Sequence, residues 1–419
     1  MANLQDIIRF EYIVYPLWRR AVHPLIKRLS QPILSQIYPV QEDMFPPSDP
    51  MMMAQALVKW NIIPDEPLQA IAHALSDATV PLETLDLSAQ PAMHDGSPVR
   101  IPAQWEAQER ILIAWAVPYP PVWAMHAQMA EAISQVAICE ILVPSELWGR
   151  AIWLYLQRRA RAQFANLRLS VLKTNDIWIR DYGPIIGKSN AGERVALNAT
   201  YAVLPQYPQS DDDGMAQHWA AHHGIKLQAL DLHTEGGNLW SDGQGTLIMS
   251  EQIFYSNRYH SRASLERYLH QRLQFDKLII TPRLTWEETG HVDLLMKLAD
   301  AQTVLFSTPT SLTTAEALRK ARRVMERTCN AQGQAYHIID LPTPALKLNW
   351  FSYTLRRHYT NALTVNGRVL VPTYRLPEDD LALRAYEQAM PKFEIVPIDS
   401  ALGANGGGAV HCMTKEIPV

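Results

Sequence analysis

From about residue 97 onward, short apolar runs alternate with longer segments whose apolar residues recur every three or four positions. The first pattern predicts strands and the second amphipathic helices. Strands are predicted at 111–117, 139–143, 167–172, 277–280, 304–307, 369–372 and 394–398. A strand-like run at 227–232 and a hairpin-like one at 239–249 join them. Helices are predicted at 122–135, 147–161, 214–223, 261–273, 313–331 and 379–389. In the helix at 313, Ala317, Leu318, Ala321, Val324 and Met325 share one face, and Thr313 with Glu316 reads as a capping box. Helices starting at 261, 313 and 379 are spaced by roughly 50 residues, which hints at a repeated βαβ-type unit, and such repeats can close into a propeller-like array.

Residues 1–95 read differently. Segment 7–29 carries Phe10, Ile13, Val14, Leu17, Trp18 and Leu25 among Arg19, Arg20, Lys27 and Arg28, interrupted by Pro16 and Pro24. It predicts a pair of short amphipathic helices packed on the main domain; a membrane surface is the alternative seat for a basic amphipathic segment. Pro46, Pro47 and Pro50 mark 42–50 as a linker, and 51–75 reads as a second helical stretch. The division is a helical extension over 1–95 and an α/β domain over 96–419.

Hydrophobic residues make up 47% of the 419 and charged ones 19%, enough for a substantial core and too apolar for wholesale disorder. The net charge of −4 supplies no basic excess to grip nucleic acid. No apolar run reaches roughly 18 residues, so no membrane span is expected. Three cysteines, odd in number and widely spaced, imply no disulfide framework and favour a reducing compartment. The first residues lack the basic region of a secretory signal, so the expected location is the cytoplasm.

Four polar motifs fall between the predicted elements. Asn175-Asp176-Ile177-Trp178-Ile179-Arg180-Asp181-Tyr182-Gly183-Pro184 sets charges among apolar residues, which predicts at least partial burial and a structural Arg180–Asp181 ion pair as the plain alternative to a site. Thr234-Glu235-Gly236-Gly237-Asn238 places glycines where close approach is wanted. Glu287-Glu288-Thr289-Gly290-His291-Val292-Asp293, read as extended, points His291 and Asp293 to one face. A metal pair would need two further ligands, and no His/Cys cluster stands at metal spacing, so a metal is not expected. Gly406-Gly407-Gly408-Ala409-Val410-His411-Cys412 delivers a thiol directly after three glycines; a buried, inert cysteine is the bland reading. A nucleophilic cysteine needs a partner to ionise and a histidine needs a carboxylate to orient it. Asp181, Asp293 and Glu235 are more acids than a neutral substrate would want. A guanidinium, planar with five donors, explains the excess, and its charge would lower the pKa of a facing thiol.

Together, Trp-x-Arg-Asp-x-Gly-Pro (178–184), Glu-Gly-Gly-Asn (235–238), Gly-His-Val-Asp (290–293) and Gly-Gly-Gly-x-x-His-Cys (406–412) resemble the agmatine deiminase and bacterial peptidylarginine deiminase family. Arg100-Ile101-Pro102-Ala103-Gln104-Trp105-Glu106 resembles the start of that family's domain, so the likeness spans roughly 97–419. The resemblance implies a five-bladed, pseudo-symmetric α/β propeller, the pentein fold. It implies a nucleophilic Cys412, guanidinium contacts from Asp181 and Asp293, and His291 as the acid that protonates departing ammonia and then the base that activates water. Glu235 would orient His291, Gly407 and Gly408 would shape the pocket floor, and Asn361 would stand near the substrate. Trp178 and Arg180 read first as structural members of the motif, with Trp178 also a candidate substrate contact. No metal or organic cofactor is implied.

Agmatine, hydrolysed to N-carbamoylputrescine and ammonia for polyamine biosynthesis, is the implied substrate. Free arginine, peptidylarginine or a pathway-specific guanidino metabolite stays open, as does an amidinotransferase or a non-catalytic scaffold. The peptidylarginine branch carries an Arg-Pro-Arg run where this chain reads Thr200-Tyr201-Ala202-Val203-Leu204-Pro205-Gln206-Tyr207-Pro208, so a peptide carboxylate clamp is not expected. Asp211-Asp212-Asp213 could attract a distal amine such as agmatine offers, but reads first as a solvated acidic helix start. Self-association into a homo-oligomer is left open.

Overall fold

The computed structural model describes residues 49–77, 79–116, 120–159, 161–201, 209–284, 287, 289–308, 312–344, 347–348, 354–355 and 357–419. The expectations for 7–29, for most of 42–50, for 202–208, for Glu288 and for the Thr313 side chain lie outside the described residues.

Helices α1 (Pro50–Lys59) and α2 (Leu68–Asp77) come first. Asp49 caps α1, its Oδ1 accepting from the Met51 and Met52 backbone N–H groups at 2.8 and 3.1 Å. The sequence reads 51–75 as one helical stretch, and the structure splits it. Asn61 adopts φ 57°, while Pro64 and Pro67 cannot donate the backbone bonds a continuous helix requires. Met53, Leu57, Ile71 and Leu75 are fully buried and share one core with Trp123, Trp148 and Ile152. Residues 49–77 therefore seat on the α/β body through apolar burial, the main favourable term available to them.

The α/β body repeats one scheme. Strands β1 (Leu82–Thr84), β2 (Gln108–Ala114), β3 (Ile138–Val143) and β4 (Leu167–Val171) run parallel, with α3 (Pro120–Ile133) and α4 (Glu146–Arg159) as crossovers. The short α5 (Ile179–Tyr182) leads to β5 (Ile185–Lys188), which pairs antiparallel with β6 (Arg194–Thr200). After α6 (Ser210–His222), β7 (Lys226–His233) returns parallel to β6. The same order follows in β8 (Trp240–Ser241), β9 (Thr246–Ser250), α7 (Gln252–Ser256), α8 (Arg262–Arg272) and β10 (Lys277–Thr281). It follows again in β11 (Met296–Leu298), β12 (Thr303–Ser307), α9 (Leu312–Arg327) and β13 (His337–Leu341). A two-stranded hairpin, β14 (Lys347–Leu348) with β15 (Thr354–Leu355), precedes the last full unit. That unit is β16 (Leu363–Val365), β17 (Arg368–Thr373), α10 (Asp379–Ala389) and β18 (Glu394–Asp399). Finally β19 (Lys415–Pro418) pairs antiparallel with β2, giving the first sheet the order β1-β4-β3-β2-β19 and the same antiparallel-then-parallel core.

The helices fall where the 3.6-residue pattern puts them, because each parallel pair needs a crossover and each crossover helix has one apolar face to bury. Leu265 and Leu269 of α8 and Ala382 and Tyr386 of α10 are buried in this way. Among the described residues no helix is long and apolar enough to cross a membrane.

The acidic start of α6 differs from its expectation of solvation. Asp212 is fully buried, and its Oδ1 accepts from the Asn175 backbone N–H at 2.6 Å. Asp213 Oδ1 accepts from Tyr201 N at 2.7 Å. Asp212 ties the loop at Asn175 to the helix instead of facing water, and the partly buried Asp213 ties the end of β6 to it.

Candidate active site

Chemistry-bearing segments follow strand after strand at the carboxyl end of a parallel pair. Arg180 and Asp181 come after β4, Glu235–Asn238 after β7, His291 and Asp293 after β10, and Cys412 after β18. Asn361 lies just before β16. The repeated topology thus gathers residues separated by more than 200 positions, as Arg180 Nε donating to the His411 carbonyl at 3.1 Å demonstrates.

Cys412 is buried, with 6% of its surface exposed. Asn361 organises its surroundings. The Asn361 amide nitrogen donates to Cys412 Sγ at 3.0 Å and to Asp293 Oδ2 at 3.1 Å. Its amide oxygen accepts from the Ala409 and Cys412 backbone N–H groups at 3.0 and 3.1 Å. One side chain therefore fixes both the loop that carries the thiol and a carboxylate beside it. Asp293 Oδ2 stands 3.6 Å from Cys412 Sγ. Burial, then the Asp293 and Asp181 carboxylates, push the Cys412 thiol well above its ordinary pKa. Without a cation in the site, the sulfur keeps its proton.

His291 lies between two other acids. Its Nδ1 is 3.5 Å from Asp181 Oδ1 and its Nε2 is 3.5 Å from Glu235 Oε2. Burial alone would lower the imidazole pKa, but the Asp181 carboxylate first, then Glu235 and Asp293, reverse that and raise it to about 10. His291 is an imidazolium at neutral pH. Asp293 is fully buried, and that burial raises its carboxyl to about 7 against the opposing pull of His291. Asp181 is likewise raised by burial; its Oδ1 accepts from the Gly237 N–H at 3.0 Å.

The glycines are there for space. A Cβ on Gly237 would stand 2.5 Å from His291 Nδ1 and 2.7 Å from Asp181 Oδ1. On Gly236 it would strike the Arg180 carbonyl, and on Gly408 the Trp178 ring and, at 2.8 Å, Cys412 Cβ. Gly407 needs its lack of a side chain for a different reason: φ is 108°. Trp178 packs over Gly408, which places its ring at the edge of the loop that carries Cys412.

Two expectations are corrected here. His291 and Asp293 do not share one extended face. Gly290 turns at φ 69°, and Val292–Leu294 forms a single 3-10 turn. His291 consequently faces Asp181 and Glu235, while Asp293 faces Cys412 and Asn361. Nor do Arg180 and Asp181 pair with each other. Arg180 Nη2 lies 2.5 Å from Glu416 Oε2 on β19, because α5 turns successive side chains in different directions. Arg180 N also donates to the Cys412 carbonyl at 3.1 Å, so this arginine braces the loop that carries Cys412.

The motifs brought Cys412, His291, Glu235, Asp181, Asp293 and Asn361 together, and the structure places all six in one buried cluster. They missed Glu416 and the part played by His411. Glu416 gave no signal, since it lies in an ordinary strand. His411 stood inside a quoted motif but was read only as the neighbour of the cysteine. Glu287 turns out to brace its own loop, accepting from Thr289 N at 3.1 Å and Thr289 Oγ1 at 2.8 Å and from the Gly290 N–H. Among the described residues, no group of three His, Cys, Asp or Glu is arranged to hold a metal ion.

A sequence model of Porphyromonas-type peptidyl-arginine deiminases matches residues 100–418. The chain belongs to this family. The agmatine deiminase of Pseudomonas syringae pv. tomato is 27% identical over 355 residues, covering 76% of this chain and 95% of that protein. The structure of the agmatine deiminase of Enterococcus faecalis superposes with a TM-score of 0.69 at 22% identity, covering 78% of this chain and 99% of that one. The agmatine deiminase of C. jejuni with substrate bound gives a TM-score of 0.68 at 18% identity, over 77% of this chain and 96% of that one. At these identities the two structures speak for a shared α/β fold.

Proposed function

We propose that the protein is a hydrolase of the C–N bonds of linear amidines that converts agmatine to N-carbamoylputrescine and ammonia. The observation that carries this reading is the convergence of Cys412, His291 and three carboxylates in one buried site around Asn361. The names of its relatives support agmatine as the substrate.

The chemistry follows from the charges. A guanidinium neutralises the Asp181 and Asp293 carboxylates by donating to them, removing the repulsion that keeps the Cys412 thiol protonated. The thiol releases its proton to solvent, and Sγ forms a bond to the guanidinium carbon. The C–N bond to one terminal nitrogen breaks, its electron pair taking a proton from the His291 imidazolium as ammonia leaves. A cationic thiouronium remains on Cys412. Water then attacks its carbon, His291 accepting a proton from it. The C–S bond breaks, the electron pair returns to sulfur, the remaining hydroxyl proton passes to solvent, and the neutral ureido product departs. Glu235 stabilises the imidazolium throughout and holds its orientation.

Architecturally, we read the five sheets of three or more strands, the β14–β15 pair set aside, as blades of a pseudo-symmetric propeller, supported by the recurring antiparallel-then-parallel strand order and by β19 joining β2. Residues 96–419 would form this catalytic unit, but β1 (Leu82–Thr84) pairs with β4 inside its first sheet, so the boundary expected at 95 does not hold, and α1 and α2 over 50–77 are the helices that lie outside the sheets. A cytoplasmic site of action accords with three free cysteines.

The test is release of ammonia and ureido product from agmatine, free arginine, a peptide ending in arginine and several guanidino acids, with Cys412→Ala in parallel. Turnover of agmatine above the others, lost in the variant, is expected. Preference for the peptide, or equal turnover by the variant, would overturn the reading.

A further inference from the structure

His411 precedes the nucleophile and is 1% exposed. Its Nδ1 stands 2.7 Å from Asp293 Oδ2. The ring stacks on Trp240 at 4.8 Å between centroids and 27° between planes. Its backbone is pinned on both sides, N donating to the Asn361 carbonyl at 3.1 Å and the carbonyl accepting from Arg180 Nε at 3.1 Å. Nε2 has no partner among the described residues, and His411 lines a small cavity with Arg180, Gly236, Lys415 and Glu416.

Protonation is settled by the surroundings. Burial, then Arg180, Lys297, Lys415 and His291, disfavour a charged ring and hold the His411 pKa well below its ordinary value. A neutral imidazole carries one N–H. The acceptor within reach is Asp293 Oδ2, so the proton sits on Nδ1. Asp293 Oδ2 then receives three donors, His411 Nδ1–H, the Asn361 amide and, at 3.6 Å, the Cys412 thiol. Oδ1 has no partner among the described residues.

Building on the deiminase reading, we propose that His411 is a positioning residue: its Nδ1–H fixes the Asp293 carboxylate so that Oδ1 is presented to the guanidinium. The consequence is mechanical. The peptide segment that carries the attacking sulfur also clamps the carboxylate that holds the group under attack. Sγ and Oδ1 share one frame and cannot drift apart independently. The bond also favours the ionised carboxylate, which faces His291, Asp181, Arg180 and Glu287, with Lys297 beyond.

The experiment compares His411→Leu, which removes the donor and keeps apolar bulk, with His411→Asn, whose amide nitrogen takes the place of Nδ1. For His411→Leu, KM for agmatine rises about 10- to 100-fold with a smaller change in kcat, and the acid limb of kcat/KM moves up by about one pH unit, as expected for a lost bond to a charged acceptor. His411→Asn recovers most of both. Wild-type KM and acid limb in His411→Leu, or equal losses in the two variants, would overturn the proposal. A readout free of turnover follows the Asp293 carboxyl by carbon-13 NMR titration of aspartate-labelled protein, assigned with Asp293→Asn. The Asp293 titration moves up in His411→Leu and returns in His411→Asn; no movement refutes the role. Failure of the wild-type enzyme to turn over any guanidine would overturn the deiminase reading, and the titration alone would then decide on His411.

Discussion

Gly237→Ala tests whether the site depends on the separation of His291 from Asp181. The new methyl group would sit 2.5 Å from His291 Nδ1 and 2.7 Å from Asp181 Oδ1. Ordinary contact requires about 3.5 Å or more, so one or both side chains must retreat by about 1 Å. Both are packed in a buried site, and the Gly237 N–H also anchors Asp181 at 3.0 Å, so that retreat carries catalytic groups with it. A displacement of about 1 Å costs on the order of 100-fold in rate, or about 2.7 kcal/mol of transition-state stabilisation. The assay is steady-state kcat/KM for agmatine, with thermal melting to confirm folding. Gly214→Ala is the control: its Cβ would meet only His218 atoms at 3.6 and 3.7 Å within α6, so full activity and equal or slightly higher stability are expected. A folded Gly237→Ala enzyme within threefold of wild type would refute the packing argument.

Three further outcomes follow. Because burial raises the Asp293 carboxyl to about 7 and only its ionised form can hold a guanidinium, kcat/KM for agmatine should fall about tenfold for each pH unit below about 7; a flat profile between about pH 5 and 8 would count against Asp293 as a substrate ligand. Gly408→Ala should abolish turnover, since the methyl group meets the Trp178 ring and Cys412 Cβ; retained activity with an unaltered Trp178 fluorescence signal would show that this loop has room. Glu416→Ala leaves Arg180 buried without its ion partner and should cost about 3 kcal/mol in urea unfolding; a loss below about 1 kcal/mol would mean that Arg180 finds compensation elsewhere.

Much of this arrangement was legible in the chain. Periodicity located the crossover helices because burial of one face imposes it, and the strands between them read as continuous apolar runs because parallel pairs are covered on both sides. The short antiparallel strands β5, β11 and β16 left little trace, because a strand as brief as Leu363–Val365 owes its conformation to the partner it meets; the hairpin-like run at 239–249 does form β8 and β9. The motifs pointed to the residues that cluster around Asn361 because glycines, a thiol and excess acids are unusual together. They could not supply direction. Arg180 and Asp181 are adjacent in the chain yet serve Glu416 and His291 respectively. His291 and Asp293 diverge because Gly290 begins a turn that an extended reading cannot foresee. Asp212 looked solvated because an acidic helix start usually is, and only the tertiary approach of Asn175 buries it.

Covalent attachment to Cys412 is the most direct test of the central claim. Rapid-quench intact mass spectrometry of the enzyme during agmatine turnover should reveal a species heavier by agmatine less ammonia. Peptide mapping should place it on the segment containing Cys412, and Cys412→Ser should neither form it nor turn over. Turnover with an unmodified Cys412, or attachment at Cys139 or Cys329, would contradict the mechanism.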